Sequence, residues 1–265
     1  MKKNKLSQNF LIDKNVAHKI IREAKLEKQD NVLEIGSGIG ILTKIIQPLV
    51  KHLIVVEIDK KLCERLSKYF LLHNINNVEV INYDFMKFNF KVNNILKNNA
   101  FKIISNLPYS IGTAIIRKIL PIENWNIAIF MLQKEVAYKL VAEPGNEKYG
   151  YISILILYYT NTKVLFNVKP TCFQPIPKVT SSVIRLMNKH SKYMDPFFFE
   201  IIKHFFNTRR KTILNCLSTF KNLGKIRATK IIKECYLNLF LRPNNLTMQD
   251  YINITKKIKF MGKFK

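Results

Sequence analysis

Asn106-Leu107-Pro108-Tyr109 closes an apolar run from Phe101 to Ser105 and holds the parts needed to methylate the exocyclic amine of adenine. That amine is a poor nucleophile because its lone pair is delocalised into the ring. Carbonyl oxygens that hold its N–H groups localise the pair, and an aromatic face clamps the ring. An Asn side-chain oxygen, the carbonyl of Leu107 before proline and a Tyr ring supply these parts in four residues. Pro108 removes a competing N–H and stiffens the turn, so the acceptors are preorganised. Taken alone, the tetrapeptide is equally ordinary turn chemistry.

The elements that would position this turn lie upstream. Asn31 to Gly40 reads NVLEIGSGIG, a short apolar strand followed by Gly36, Gly38 and Gly40 at alternate positions and then a helical run from Ile41 to Val50. Strand, glycine turn and helix open a doubly wound α/β domain. The spacing is not the G-x-G-x-x-G of a dinucleotide site. No basic residue lies in the loop, and Glu34 stands just before the first glycine. A cation without phosphates suits such a loop, and S-adenosylmethionine, with its sulfonium and ammonium groups, has that chemistry.

A second apolar run, Leu53 to Val56, ends at Glu57, 21 residues after Gly36 and placed to accept both hydroxyls of a ribose. A third, Val78 to Ile81, leads to Asp84, an acceptor for an adenine amine. Four successive strand ends then carry Gly36 with Gly38, Glu57, Asp84 and Asn106, and ligands bind in the crevice beyond such ends. Singly, Glu57 or Asp84 also reads as a helix cap or a solvated charge, and Gly38 as a mere permit for positive φ.

With these residues in place, the chain resembles the bacterial small-subunit (16S) rRNA adenine N6-dimethyltransferases, the KsgA family, nearly end to end. SQNFLID at 7–13, EIGSGIG at 34–40, VEID at 56–59 and NLPY at 106–109 follow the family's order. So do MLQKEVA at 131–137, KYGYIS at 148–153, FQPIPKVTSSVIRL at 173–186 and FNTRRKTILNCL at 206–217. Ser37 stands where the family usually has Pro, and Ser105 where it often has Gly; Ser is small enough for the geometry to survive.

The resemblance implies a Rossmann-like class I methyltransferase domain with a mostly parallel seven-stranded sheet, over residues 1–190, and a small basic helical RNA-binding domain over 191–265. It implies S-adenosylmethionine as methyl donor. Asn9 and Leu11 would close over it, Gly36 would face its methionine portion, Glu57 its ribose and Asp84 its adenine. Asn106 would hold the target amine beside the methyl group. Tyr109 would stack on one face of the target base and Phe173 on the other. Lys178, Arg209, Arg210 and Lys211 would meet RNA. The substrate would be two adjacent adenosines, each dimethylated, in a hairpin loop near the 3′ end of the small-subunit rRNA. A flipped or unpaired base fits such a pocket better than one within a duplex. The related large-subunit rRNA dimethyltransferases of macrolide resistance share the arm, the glycine loop and the Asn-x-Pro-Tyr turn, and form the alternative.

Composition agrees with a polyanionic partner. The 265 residues carry 44 Lys and Arg against 18 Asp and Glu, a net charge of +26. Residues 191–265 hold 16 of those cations and 4 of the acids, and their apolar residues recur at helical spacing, with Arg209-Arg210-Lys211 read at a helix start. Phe85 to Ala100, rich in Asn and Lys, reads as a surface loop able to touch RNA. The four cysteines are scattered, supporting neither a zinc site nor disulfides, and free thiols fit a cytoplasmic protein. The longest apolar stretch, Tyr151 to Tyr159, is too short to span a bilayer. The large charge favours a monomer.

Overall fold

The computed structural model describes residues 9–190 and 195–261. The chain divides into two compact units, one of residues 1–137 and 159–190, the other of 138–158 and 191–265.

In the first unit, the arm strand β1 (Phe10–Leu11) leads into α1 (Lys14–Glu23), whose N-cap Asp13 accepts from Val16 N at 3.1 Å. Three strand–helix pairs follow: β2 (Asn31–Ile35) with α2 (Ile41–Ile46), β3 (His52–Glu57) with α3 (Lys60–Leu72), and β4 (Val78–Asn82) with α4 (Asn94–Asn98). Then come β5 (Phe101–Asn106), α5 (Gly112–Ile119), β6 (Trp125–Gln133) and α6 (Lys134–Leu140). After α7 (Tyr151–Tyr159), the chain returns as β7 (Thr160–Val168), β8 (Phe173–Gln174) and β9 (Ser181–Asn188). Buried on both faces, β3 carries a continuous β-branched and leucine run at 53–56 rather than an alternating one, and β2 does the same save for Glu34, as parallel strands between helices require.

The seven-stranded sheet has the order β4-β3-β2-β5-β6-β9-β7. The pairs from β4 to β6 are parallel, and β9 runs antiparallel to both its neighbours. Chain direction across the sheet reverses between β2 and β5, and a crevice opens at the carboxyl ends there. The expected mostly parallel sheet of seven strands is present. On one face, α1, α2 and α3 bury Ile20, Leu42, Ile46, Leu66 and Phe70 in a common core with strand residues.

Phe85 to Ala100 departs from the loop expected of it. Phe85, Phe88 and Phe90 are buried and pack on one another and on Phe101, with ring centroids 5.5–6.1 Å apart. The apolar rings anchor the segment against the sheet despite its polar composition, and Asn93 caps α4 by accepting from Ile95 N and Leu96 N.

The second unit is helical, with α8 (Pro196–Asn207), α9 (Ile213–Thr219), α10 (Lys225–Glu234) and α11 (Met248–Phe260). Its core joins Phe198, Ile201, Phe205, Leu217, Ile231, Tyr251 and Ile254. Tyr149 and Ile154 belong to the same core. The division at 190/191 stands, but 138–158 groups with the C-terminal unit: Tyr149 and Ile154 are buried with its helices, and Ala142 and Tyr151 pack against them. Arg209, Arg210 and Lys211 are exposed in the turn that joins α8 to the N-cap of α9. Thr212 takes the N-cap of α9, accepting from Asn215 N, and so ends the basic run one residue early. Here the C-terminal dipole of α8 favours the cations and the N-terminal dipole of α9 opposes them.

Candidate active site

The crevice at the β2/β5 switch holds a cavity of about 460 Å³ lined by residues 9–11, 34–39, 56–58, 83–86 and 106–111, together with Ile41, Leu42 and Ile115. Three carboxylates, Glu34, Glu57 and Asp84, line it, and no Lys, Arg or His does. In a chain of net charge +26 this local reversal of sign singles out a cationic ligand.

The glycine loop forms the cavity wall. Gly36 has φ +70°, and a Cβ there would meet nothing within 4 Å, because it would point into the open cavity. Gly38 has φ +54°, and a Cβ would lie 2.8 Å from Cδ1 of Phe10 in the arm. The loop conformation and the close approach of the arm both demand glycine here.

Glu57 is buried at the end of β3. Its Oε2 accepts from Gly38 N and its Oε1 from Asp59 N, each at 3.0 Å. Each carboxylate oxygen has capacity for a second donor, so the ribose hydroxyls of an adenosyl group remain acceptable partners. Asp84, after β4, lines the cavity while its Oδ1 caps the following turn by accepting from Met86 N at 2.8 Å. The capping and ligand-facing readings of this residue coexist. Glu34 is wholly buried. Neither of its oxygens, nor the hydroxyls of Ser37 and Thr43, has a hydrogen-bond partner among the described residues. Burial pushes its carboxyl up to about 8; the nearby Thr43 hydroxyl opposes the shift, and the charge of Glu57 adds to it. A buried carboxyl with only the Thr43 hydroxyl close by, at the wall of this cavity, has acceptor capacity to spare for a polar ligand group. These residues fit S-adenosylmethionine.

At the end of β5, Asn106 Nδ2 donates to the carbonyl of Asn9 at 3.1 Å. That bond ties the arm to the turn and orients the amide so that Oδ1 is left as acceptor. Leu107 is buried, and its N–H is used by Met131 O at 2.9 Å. The Tyr109 ring is half-buried beside the cavity, its hydroxyl 2.6 Å from Oγ of the buried Ser181, and burial raises its pKa. Asn9, Leu11, Gly36, Gly38, Glu57, Asp84, Asn106, Leu107, Pro108 and Tyr109 thus converge on one cavity.

Phe173 does not join them, which corrects its expected stacking role. It is 1% exposed, pairs with Leu11 across β1 and β8, and lies in the hydrophobic core. A ring so enclosed has no face to offer a base; it secures the arm instead. Lys178 is exposed in the β8–β9 connection and does not line the cavity. Ser7 and Gln8 of the arm motif lie outside the described residues. Both departures from the family pattern are accommodated: Ser105 Oγ donates to Ile35 O at 2.5 Å, and Ser37 is buried at the cavity wall. The roles of Phe10 against Gly38 and of Ser181 behind Tyr109 had no local signal, since the latter pair is 72 residues apart.

A family model described as Ribosomal RNA adenine dimethylase matches residues 1–259. The chain belongs to this family. Among its relatives, the Ribosomal RNA small subunit methyltransferase A of Malacoplasma penetrans is 38% identical over 254 residues, covering 94% of this chain and 89% of that protein. That of Alkaliphilus oremlandii is 38% identical over 268 residues, covering 96% and 92%. Among solved structures, a dimethyladenosine transferase from Plasmodium falciparum matches with TM-score 0.84 and 26% identity over 96% of this chain and 98% of that one. The 23S rRNA methyltransferase ErmE shares the fold, with TM-score 0.70 and 21% identity over 95% of this chain and 100% of that one. The small-subunit members of the adenine dimethylase family are thus favoured over the macrolide-resistance alternative.

Proposed function

We infer that this protein is an S-adenosylmethionine-dependent rRNA adenine dimethyltransferase. It converts two adjacent adenosines in a hairpin loop near the 3′ end of the 16S rRNA to N6,N6-dimethyladenosine during small-subunit biogenesis. It acts in the cytoplasm, as a monomer, on the small ribosomal subunit. The observation that carries the reading is the Asn106 amide, held by the Asn9 carbonyl at the rim of an anionic, glycine-walled cavity.

S-adenosylmethionine, when bound, supplies an electrophilic methyl group. The protein's work is placement. Gly36 leaves room for the methionine portion, Glu57 holds the ribose and Asp84 the adenine. Asn106 Oδ1 and the Leu107 carbonyl accept the N–H groups of the target amine, localising its lone pair toward the methyl group. Tyr109, fixed by Ser181, gives the target base a stacking face worth about 1–3 kcal/mol. No nucleophilic residue is required. The amine turns strongly acidic only once methylated, and the proton then leaves to solvent. Lys178, Arg209, Arg210 and Lys211 contact rRNA phosphates.

Nucleoside analysis of rRNA from small subunits lacking the modification tests this. Incubation with enzyme and S-adenosylmethionine should produce N6,N6-dimethyladenosine. Monomethyladenosine as the sole end product would refute the assignment.

A further inference from the structure

A second cavity, of about 240 Å³, adjoins the first and reverses its charge. It is lined by Gly38, Ile39, Lys44, Leu62, Arg65, Leu66, Lys68, Tyr69 and Leu72. Gly38 and Ile39 line both cavities. The first has three carboxylates and no cation in its wall; the second has three cations and no carboxylate.

Helix geometry builds this groove. Leu62, Arg65, Leu66, Tyr69 and Leu72 recur at three- and four-residue spacing along α3 and so share one face. That face meets α2 at Gly40, where a Cβ would lie 2.8 Å from Leu66 Cδ1. Lys44 projects from α2 with its ammonium 4.0 Å from the centre of the Tyr69 ring, which also packs on His73, with ring centroids 4.2 Å apart, and on Phe70, 5.5 Å apart. Lys44, Arg65 and Lys68 are exposed and enter no ion pair among the described residues. The nearby Glu64 is engaged by Lys60 instead, at 3.8 Å. Apolar surface accompanies the cations: Leu72 is 69% exposed and Ile39 37%. Stability alone explains poorly why three like charges share a groove while the one acid beside them is turned to another lysine.

We propose that this groove binds a nucleotide of the rRNA substrate, on the same single strand that delivers the target adenosine to the neighbouring cavity. Lys44, Arg65 and Lys68 take the phosphodiester, and Ile39 and Leu72 give the base or ribose an apolar floor, while the Tyr69 ring braces Lys44. Cations with an adjoining aromatic are how single strands are held without sequence readout. The shared Gly38-Ile39 wall sets the groove beside the site of chemistry. The proposal rests on the rRNA reading given above.

The test is the salt dependence of binding to unmethylated small ribosomal subunits for the triple variant Lys44→Gln, Arg65→Gln, Lys68→Gln. Each phosphate neutralised on a single strand contributes about 0.7 to the slope of log K against log salt, so loss of the one phosphodiester held here should shrink the slope by about 0.7. S-adenosylmethionine affinity, measured by calorimetry, should be unchanged. A matched variant at Lys14, Lys51 and Lys163 should keep the full slope. A photo-crosslinking residue at Leu72 should label rRNA. An unchanged slope in the groove variant, or an equal loss in the matched variant, overturns the proposal. If the wild type methylates small-subunit rRNA and either result is found, the groove assignment alone has failed. Absence of methylation by the wild type removes the reading beneath it as well.

Discussion

The carboxylate of Glu57 closes a clamp on Gly38: Oε2 accepts the glycine N–H at 3.0 Å across 19 residues, while Oε1 accepts from Asp59 N. One buried side chain thus ties the glycine loop to the end of β3, setting the wall of the cofactor cavity and the acceptor for its ligand together.

Glu57→Ala should therefore weaken S-adenosylmethionine binding twice over, by losing the ribose acceptor and by freeing the loop. Hydrogen bonds to a charged group are worth about 1.5–3 kcal/mol each, so calorimetry should show a loss of about tenfold or more. Glu57→Gln, which keeps an acceptor, should fall between. Unchanged affinity in the alanine variant would exclude Glu57 from the cofactor site.

Asn106→Ala should separate chemistry from binding. Loss of a placed acceptor at a reacting centre costs about 10²–10³ in kcat. Loss of the neutral bond to the Asn9 carbonyl should cost about 1 kcal/mol in arm closure, a several-fold weakening of cofactor binding. Single-turnover methyl transfer and equilibrium dialysis together read the two effects.

Phe173 distinguishes packing from stacking. As a core residue against Leu11, its replacement by Ala should cost about 3–5 kcal/mol of stability, seen in urea unfolding. Phe173→Leu should keep most of the activity, because it preserves bulk. A large fall in kcat/KM for Phe173→Leu at unchanged stability would restore the stacking role.

Glu34 makes stability depend on pH. Its carboxyl is raised by burial from an ordinary 4.5 to about 8, so between those values the folded protein holds a proton that the unfolded chain lacks. Stability then falls as pH rises through that window, by at most about 1.4 kcal/mol per unit. In the absence of cofactor, urea midpoints from pH 5 to 8 should decline more steeply in the wild type than in Glu34→Gln. Equal slopes would show that Glu34 is not the group responsible.

Much of this site could be read from the chain because its parts sit at strand ends. Gly36, Glu57, Asp84 and Asn106 each follow an apolar run, and a parallel α/β sheet brings such positions together. Long-range partners were silent: Ser181 behind Tyr109, and Phe10 over Gly38, depend on tertiary approach alone. Phe173 misled for the same reason, since an aromatic beside Pro175 and Pro177 reads alike whether it faces a base or the arm. Residues 138–158 were misassigned because nothing local marks an apolar helix as packing with residues 50 positions later rather than with the sheet. The phenylalanines at 85, 88 and 90 were outvoted by the Asn and Lys around them, although burial of three rings decides where that segment goes.

The most direct test of the central claim is transfer of radiolabelled methyl from S-adenosylmethionine to separately offered, unmethylated small and large ribosomal subunits, with Asn106→Ala in parallel. The account predicts label in small-subunit rRNA as dimethyladenosine, absent with the variant. Label confined to the large subunit, or equal labelling by Asn106→Ala, would contradict it.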